Sequence, residues 1–104
     1  MRAIFVLATL LFSTVAFAAV PSIQGKMYDE GRATLIAEGW EPYQTEDSDC
    51  ANNGHSACKD FPEIRFCSSS GACQMTWRKA DEIITVDTFG DFNDITGVRA
   101  GLIP

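Results

Sequence analysis

From residue 64 onward, apolar and polar positions alternate. Ile64 and Phe66 flank Arg65. Cys73, Met75 and Trp77 alternate with Gln74, Thr76 and Arg78, and Ile84, Val86 and Thr88 alternate with Thr85 and Asp87. A period of two places one set of side chains on a buried face and the other toward water, so these runs predict antiparallel strands, with Ile95 to Arg99 as a weaker fourth. A two-residue turn at Ala80-Asp81 sets Trp77 opposite Ile84 and Met75 opposite Val86, which puts both apolar rows on one face. Ala-Asp is poor turn chemistry, because neither residue has glycine's freedom.

Upstream the period changes. Ala33, Ile36, Ala37 and Trp40 stand at i, i+3, i+4 and i+7 with Leu35 beside them, which predicts a helix over Tyr28 to Glu38 with that apolar face inward. Asp29 and Glu30 fall in its first turn, where the helix dipole favours negative charge. No Ser, Thr or Asn precedes the helix, so its N-cap is poorly specified, and Gly31 weakens its interior. Gly39 suits the left-handed position past the last turn, and Pro42 prevents resumption. A Schellman end would fold Trp40 back onto Leu35, making it a lid on the core; the competing reading is a ligand platform. Val20 to Lys26 has no period and reads as a lead-in, and Tyr43 to Phe61 is polar, acidic and aperiodic. One helix on a three- to four-stranded antiparallel sheet gives an α+β, two-layer domain.

The first 18 residues change the picture. Met1-Arg2 is followed by an almost wholly apolar run from Ala3 to Ala16, and Ala16-Phe17-Ala18 fits the small-x-small cleavage rule. Residues 1–18 therefore read as a signal peptide, with cleavage after Ala18 or Ala19, and residues 19–104 as one exported domain. The competing reading is a retained anchor, against which the run is short and lacks charge on its far side. No cysteine follows it, which speaks against a lipoprotein anchor. The chain carries 14 acidic and 8 basic residues, a formal charge of −6, and cleavage at Ala18 would remove one of the cations. Such a balance repels nucleic acid and anionic lipid and permits a cationic partner. Seven Phe and two Trp argue against disorder.

Cys50, Cys58, Cys67 and Cys73 all follow the cleavage site, and an even count in a short exported chain reads as two disulfides. Local loops of this size each contribute about 2.5 kcal/mol and the crossed pairing only about 0.6 more per bond, so energy does not choose between them. Geometry favours Cys50–Cys58 and Cys67–Cys73, since the latter pair flanks one turn. The Cys spacings match no common zinc pattern. If Cys67 faces Cys73, Phe66 falls opposite Gln74 and Ile64 opposite Thr76, and the apolar rows conflict. A bulge near Gly71, an irregular Pro62 to Phe66, or crossed disulfides would each resolve this.

Candidate chemistry is sparse. Asp49, Asn53, His55 and Asp60 partly match a calcium loop. Ala51, however, has no ligand oxygen at the third position, and Asp60 stands where a bidentate Glu is wanted. These four residues are the metal candidates. His55, the only histidine, has no nucleophile or second acid placed by a motif, so no catalytic residue and no cofactor are assigned. Ser68, Ser69, Ser70 and Gly71 form a run of small residues at a stapled turn. Turn chemistry explains them, and a rigid tip entering a partner's cleft is the functional alternative. Ser68, Ser69, Ser70, Gly71 and Trp40 are the candidate partner-binding residues.

The ordered matches Ala33, Gly39-Trp40, Pro42, Cys50, Cys58, Phe61-Pro62-Glu63-Ile64, Cys67-Ser68, Gly71, Cys73 and Trp77 resemble a family of small uncharacterised exported proteins of Gram-negative bacteria. They span Tyr28 to Phe89, although family members carry a slightly longer second Cys loop. The resemblance implies the periplasm and an α+β fold, and carries over no catalytic residue. The Ser68–Gly71 tip also resembles the serine–glycine loop of periplasmic lysozyme inhibitors, which are all-β. The expectation is a periplasmic or secreted, non-catalytic protein that binds another protein and could inhibit a periplasmic or cell-wall-active enzyme. It would bind no nucleic acid and keep no membrane anchor. The alternative is a small metal-binding protein or enzyme using Asp49 to Asp60.

Overall fold

The computed structural model describes residues 20–52, 54 and 56–103; residues 1–19, on which the signal-peptide reading falls, and Asn53, His55 and Pro104 lie outside the described residues. The chain is α+β. Helix α1 (Tyr28–Ala37) is followed by a two-residue strand β1 (Glu41–Pro42), a short helix α2 (Asp49–Asn52) and a 3-10 turn (Ser56–Lys59). Strands β2 (Ile64–Cys67), β3 (Cys73–Lys79), β4 (Glu82–Phe89) and β5 (Asp94–Ala100) complete it. All pairings are antiparallel, with the path β1-β3-β4-β5 and β2 also on β3. β1 and β2 share one edge of β3 end to end: Pro42 lies opposite Trp77, and Ile64 opposite Met75. Tyr43 N–H donates to the Thr76 carbonyl, and Thr76 N–H to that of Glu63, at 3.0 Å each.

The β3–β4 hairpin has the register that alternation predicts, Trp77 opposite Ile84 and Met75 opposite Val86. It turns through Ala80 at φ +52 without a glycine. Both disulfides are local. Cys50–Cys58 spans 5.6 Å and Cys67–Cys73 spans 4.1 Å between Cα atoms, the latter pair directly opposite each other. The conflict of rows in the first hairpin is resolved by a bulge, at Arg65 within β2 and not near Gly71: Phe66 pairs Gln74, and the next partners are Ile64 and Met75. The extra residue returns Ile64 to the buried face and leaves Phe66 outside.

Helix α1 ends as its sequence predicts. Gly39 adopts φ +91, Gly39 N–H donates to Ile36 O at 3.0 Å, and Trp40 N–H donates to Leu35 O at 2.9 Å. These are the two bonds of a Schellman motif. Its start has no side-chain cap; instead Tyr28 N–H donates to the Asn93 carbonyl in the β4–β5 turn at 2.9 Å. The buried face differs from the predicted one. Tyr28, Gly31 and Leu35 face inward, while Ala33, Ile36 and Ala37 face water, Ile36 being 50% exposed. The helix rotates because Gly31 allows close approach: a Cβ there would lie 2.3 Å from Ile95 Cδ1. The lead-in is also structured, since Ile95 exchanges hydrogen bonds with Gly25 and Lys26 and so covers part of the β5 edge.

The core between helix and sheet is built from Ile23, Tyr28, Leu35, Trp40, Ile64, Met75, Trp77, Val86 and Ile95. On the other face the buried pair Thr76 and Thr85 is covered. Thr76 Oγ1 donates to Tyr43 O at 2.6 Å and Thr85 Oγ1 to Gly101 O at 2.8 Å. The acidic stretch orders itself through its own side chains. Ser48 caps α2, accepting from Ala51 N–H at 3.1 Å. Asp47 accepts from Thr45 Oγ1 at 2.6 Å and from Arg65 Nη2 at 2.8 Å. Arg65 beside it, then Thr45, holds the Asp47 carboxyl down at about 2. Among the described residues, no helix is long and apolar enough to cross a membrane.

Candidate functional site

Among the described residues, two regions of buried polar groups differ in whether they are complete. The first lies under α1. Tyr28 O–H donates to Glu63 Oε2 at 2.6 Å and Arg32 Nε to the same oxygen at 2.7 Å, while Trp77 Nε1–H donates to Tyr28 Oη at 3.2 Å. The Arg32 guanidinium lies 5.3 Å from the Phe61 ring centre and 5.6 Å from that of Trp77. Burial, then the Glu63 charge, pushes the Tyr28 hydroxyl well above the ordinary tyrosine range. The hydrogen bond to Glu63 raises Arg32 further. The groups of this cluster satisfy one another, as a structural network must when it is shut away from water.

The second cluster lies at the opposite end of β3, beside the stapled tip. Rows across the sheet build it. Phe66, Gln74 and Asp87 are successive cross-strand partners on β2, β3 and β4, and Cys67, Cys73 and Thr88 form the next row. Two bulges shape it. One is the Arg65 bulge, which turns Phe66 outward; the other inserts Thr96 in β5, between the Asp87–Gly97 and Thr88–Ile95 pairs. Bulges re-aim side chains at sheet ends in this way. A cleft of about 240 Å³ results, with Phe66, Phe89, Gln74 and Thr88 in its lining and Ser68 at its rim. Phe66 is 39% and Phe89 51% exposed, whereas Thr88 is 1% exposed. Gln74 Oε1 and Thr88 Oγ1 are buried without a hydrogen-bond partner. Asp87 is taken by Arg99, whose Nε and Nη2 each lie 2.8 Å from a carboxylate oxygen.

One wall of the cleft is the tip. Ser68 N–H donates to Ala72 O at 2.7 Å and Gly71 N–H to Ser68 O at 3.1 Å, with Gly71 at φ +89. That is the three-residue hairpin loop, closed one step below by Cys67–Cys73. Ser68 and Ser70 hydroxyls lie 2.7 Å apart, and Ser69 and Ser70 stand exposed at the apex. The β4–β5 turn flanks it: a Cβ on Gly71 would lie 3.7 Å from Asp91 N. That turn holds Gly90, Asp91 and Phe92 all at positive φ. Left-handed backbone at a bulky residue costs free energy and needs the surrounding packing to hold it; Phe92 packs against the core and sits 5.6 Å from Phe61.

No known protein family, curated protein or solved structure matches the chain. The geometry therefore stands alone.

Of the predicted partner-binding residues, Ser68, Ser69, Ser70 and Gly71 are gathered at the tip. Trp40 is not with them: at 3% exposure it lies in the core, as a lid on Leu35, and has no surface to offer a ligand. Of the metal candidates, Asp49 opens α2 and Asp60 follows the 3-10 turn, and Asn53 and His55 lie outside the described residues. Among the described residues, no three His, Cys, Asp or Glu side chains converge as a metal site. Sequence reasoning missed Gln74, Thr88, Phe66 and Phe89. One signal was available: Phe66 opposite Gln74 breaks the apolar row and marks an aromatic ring that the core does not take. A second hollow, of about 400 Å³ near Val20, Glu82 and Gly101, has no unpartnered buried polar atom in its lining among the described residues.

Proposed function

We propose that the chain is an exported, non-catalytic binding protein that docks on another protein through its stapled tip and the cleft beneath it. One observation carries the reading: the buried Gln74 Oε1 is left without a partner where two phenylalanine rings stand in water, beside a covalently closed loop. Buried polar groups are paired in nearly all folded proteins, and exposed aromatic side chains gathered in a cleft mark contact surfaces. A tip held by a disulfide and its own hydroxyls loses little freedom on docking. Two disulfides in so small a fold are compatible with a compartment outside the reducing cytoplasm. The signal-like leader and the resemblance to small exported Gram-negative proteins favour the periplasm. A periplasmic or cell-wall-active enzyme is the target class we favour, with the tip occluding its cleft.

The test uses the oxidised protein, immobilised and exposed to periplasmic extract, with each captured protein identified, purified and titrated back. A Ser69→Arg, Ser70→Arg variant places two bulky cations at the apex and should weaken the purified partner by about tenfold or more, that is, at least about 1.4 kcal/mol. A partner that binds the variant as tightly as the parent rules the tip out as the contact.

A further inference from the structure

The cleft's lining specifies the group it can take. Gln74 Oε1, on the sheet face that carries Phe66 and Asp87, is a buried acceptor with no donor, while the unpartnered Thr88 hydroxyl lies on the opposite, Cys73 face. Among the described residues no lysine or arginine lines the cleft, and the Arg99 guanidinium is committed to Asp87 through two bonds. Phe66 and Phe89 offer aromatic rings at the opening, and a ring face attracts a cation. Asp87 in the wall is neutralised by Arg99, and exposed Asp91 stands at the rim beside Gly71. The chain as a whole is acidic, at −6, so its field draws cations and repels anions. An acceptor below, aromatic rings at the mouth and an acidic chain around them complement one chemistry.

Building on the docking role proposed above, we propose that this cleft receives an arginine or lysine side chain projected from the surface of a basic protein partner. The ammonium or guanidinium donates to Gln74 Oε1, and its stem lies between the Phe66 and Phe89 rings. The tip then rests on the surface around that side chain. Gln74 and the two rings act as the specificity residues, because an uncharged insert forfeits both the ring attraction and the surrounding field.

The experiment titrates the isotope-labelled, oxidised protein with acetyl-Gly-Arg-Gly-amide and with its citrulline analogue, which keeps the shape and loses the charge. NMR signals of Phe66, Gln74, Thr88 and Phe89 should move saturably with the arginine peptide. The citrulline peptide should bind about tenfold more weakly, a difference of about 1.4 kcal/mol. Gln74→Leu should weaken the arginine peptide by a similar factor with unchanged melting temperature. Should that variant not fold, the comparison of the two peptides on the parent protein still decides. Equal binding of both peptides, shifts confined to other surfaces, or no shift at all overturns the inference. Failure here with partner loss in the Ser69→Arg, Ser70→Arg variant removes the cationic insert and leaves the docking role. Cleft binding of the peptide with no effect of the tip variant on the partner does the reverse.

Discussion

The two buried polar clusters of this molecule are built from similar materials and end differently. Under α1, a carboxylate, a phenol, an indole and a guanidinium come from three parts of the chain and satisfy one another. Beside the tip, an amide oxygen and a hydroxyl are buried with nothing to bond. Closing the first cluster required only that helix and sheet pack, since each partner belongs to the core. The second is not closed from within, because Gln74 and Thr88 stand on successive cross-strand rows that face opposite sides of the sheet, so the hydroxyl cannot donate to the amide oxygen. A group that folding leaves unsatisfied lowers stability and remains available for a contact made later. The difference separates a cluster that holds the fold from one that the fold holds open.

The largest expected effect comes from breaking the closed cluster at its cation. The Glu63 side chain is fully buried while that of Arg32 is 23% exposed, so the two halves of the pair are not equivalent. Arg32→Met keeps the packing of the stem and strands the Glu63 charge with one tyrosine donor. The loss should be about 3–5 kcal/mol, read by chemical denaturation. For a domain this small that approaches the whole stability, so the variant is expected to be largely unfolded at body temperature. A loss below about 1 kcal/mol would show that Glu63 is not held as an ion by Arg32.

A smaller loss should follow Tyr28→Phe, which removes one donor to Glu63 and the acceptor of Trp77 Nε1; about 2 kcal/mol is expected. The same hydroxyl sets the alkaline limit. Its folded pKa lies above its unfolded value, so its neutral form favours folding. That stability is intact below about pH 10, the unfolded value, and is lost as pH rises toward the folded one. The parent should therefore lose stability steeply above pH 10, and Tyr28→Phe should show a shallower slope there. Parallel slopes in a pH series of denaturation midpoints would assign the alkaline limit elsewhere.

The closed cluster and the open one were not equally legible in the sequence. The β3–β4 register followed from alternation alone, because both strands are regular and one face is dry. The helix end followed from Gly39 and Pro42, whose backbone preferences act locally. The helix face did not follow. Periodicity weighs Ala33, Ile36 and Ala37 as core, but the inward positions went to Gly31, which gains contact by having no side chain, and Arg32, which enters through its stem and its bonds to Glu63. Neither registers as apolar. The tip was legible because two cysteines and a glycine announce a closed turn. The cleft beside it was not, because bulges at Arg65 and Thr96 depend on tertiary pairing. The short β1 and the bonded lead-in were missed because each is too short to carry a period.

Gly31 allows a direct test of the packing that rotated the helix. Alanine would gain about 1 kcal/mol of helix propensity. Its methyl would also meet Ile95 Cδ1 in a filled core, at 2.3 Å before relaxation. Overpacking of this kind costs about 1–3 kcal/mol, so Gly31→Ala should lose about 1 kcal/mol net. Adding Ile95→Val removes the clashing atom and should recover most of that loss. If the double variant is less stable than Gly31→Ala alone, the contact with Ile95 is not what excludes a side chain at position 31.

The smallest expected effect compares two threonines on one strand. Thr85 and Thr88 are both buried in β4, but Thr85 donates to the Gly101 carbonyl at 2.8 Å and Thr88 has no partner. Valine matches threonine in shape and replaces the hydroxyl with a methyl. At Thr85 the exchange leaves a carbonyl without its donor and should cost about 1 kcal/mol. At Thr88 it removes a hydroxyl that was desolvated without compensation, so stability should stay level or rise by up to about 1 kcal/mol. The two substitutions thus have opposite signs for identical chemistry, and denaturation of the pair measures whether the open cluster is open in solution. A Thr88→Val variant as destabilised as Thr85→Val would mean that its hydroxyl is satisfied after all. The Gln74 oxygen would then be the one buried side-chain oxygen left open among the described residues.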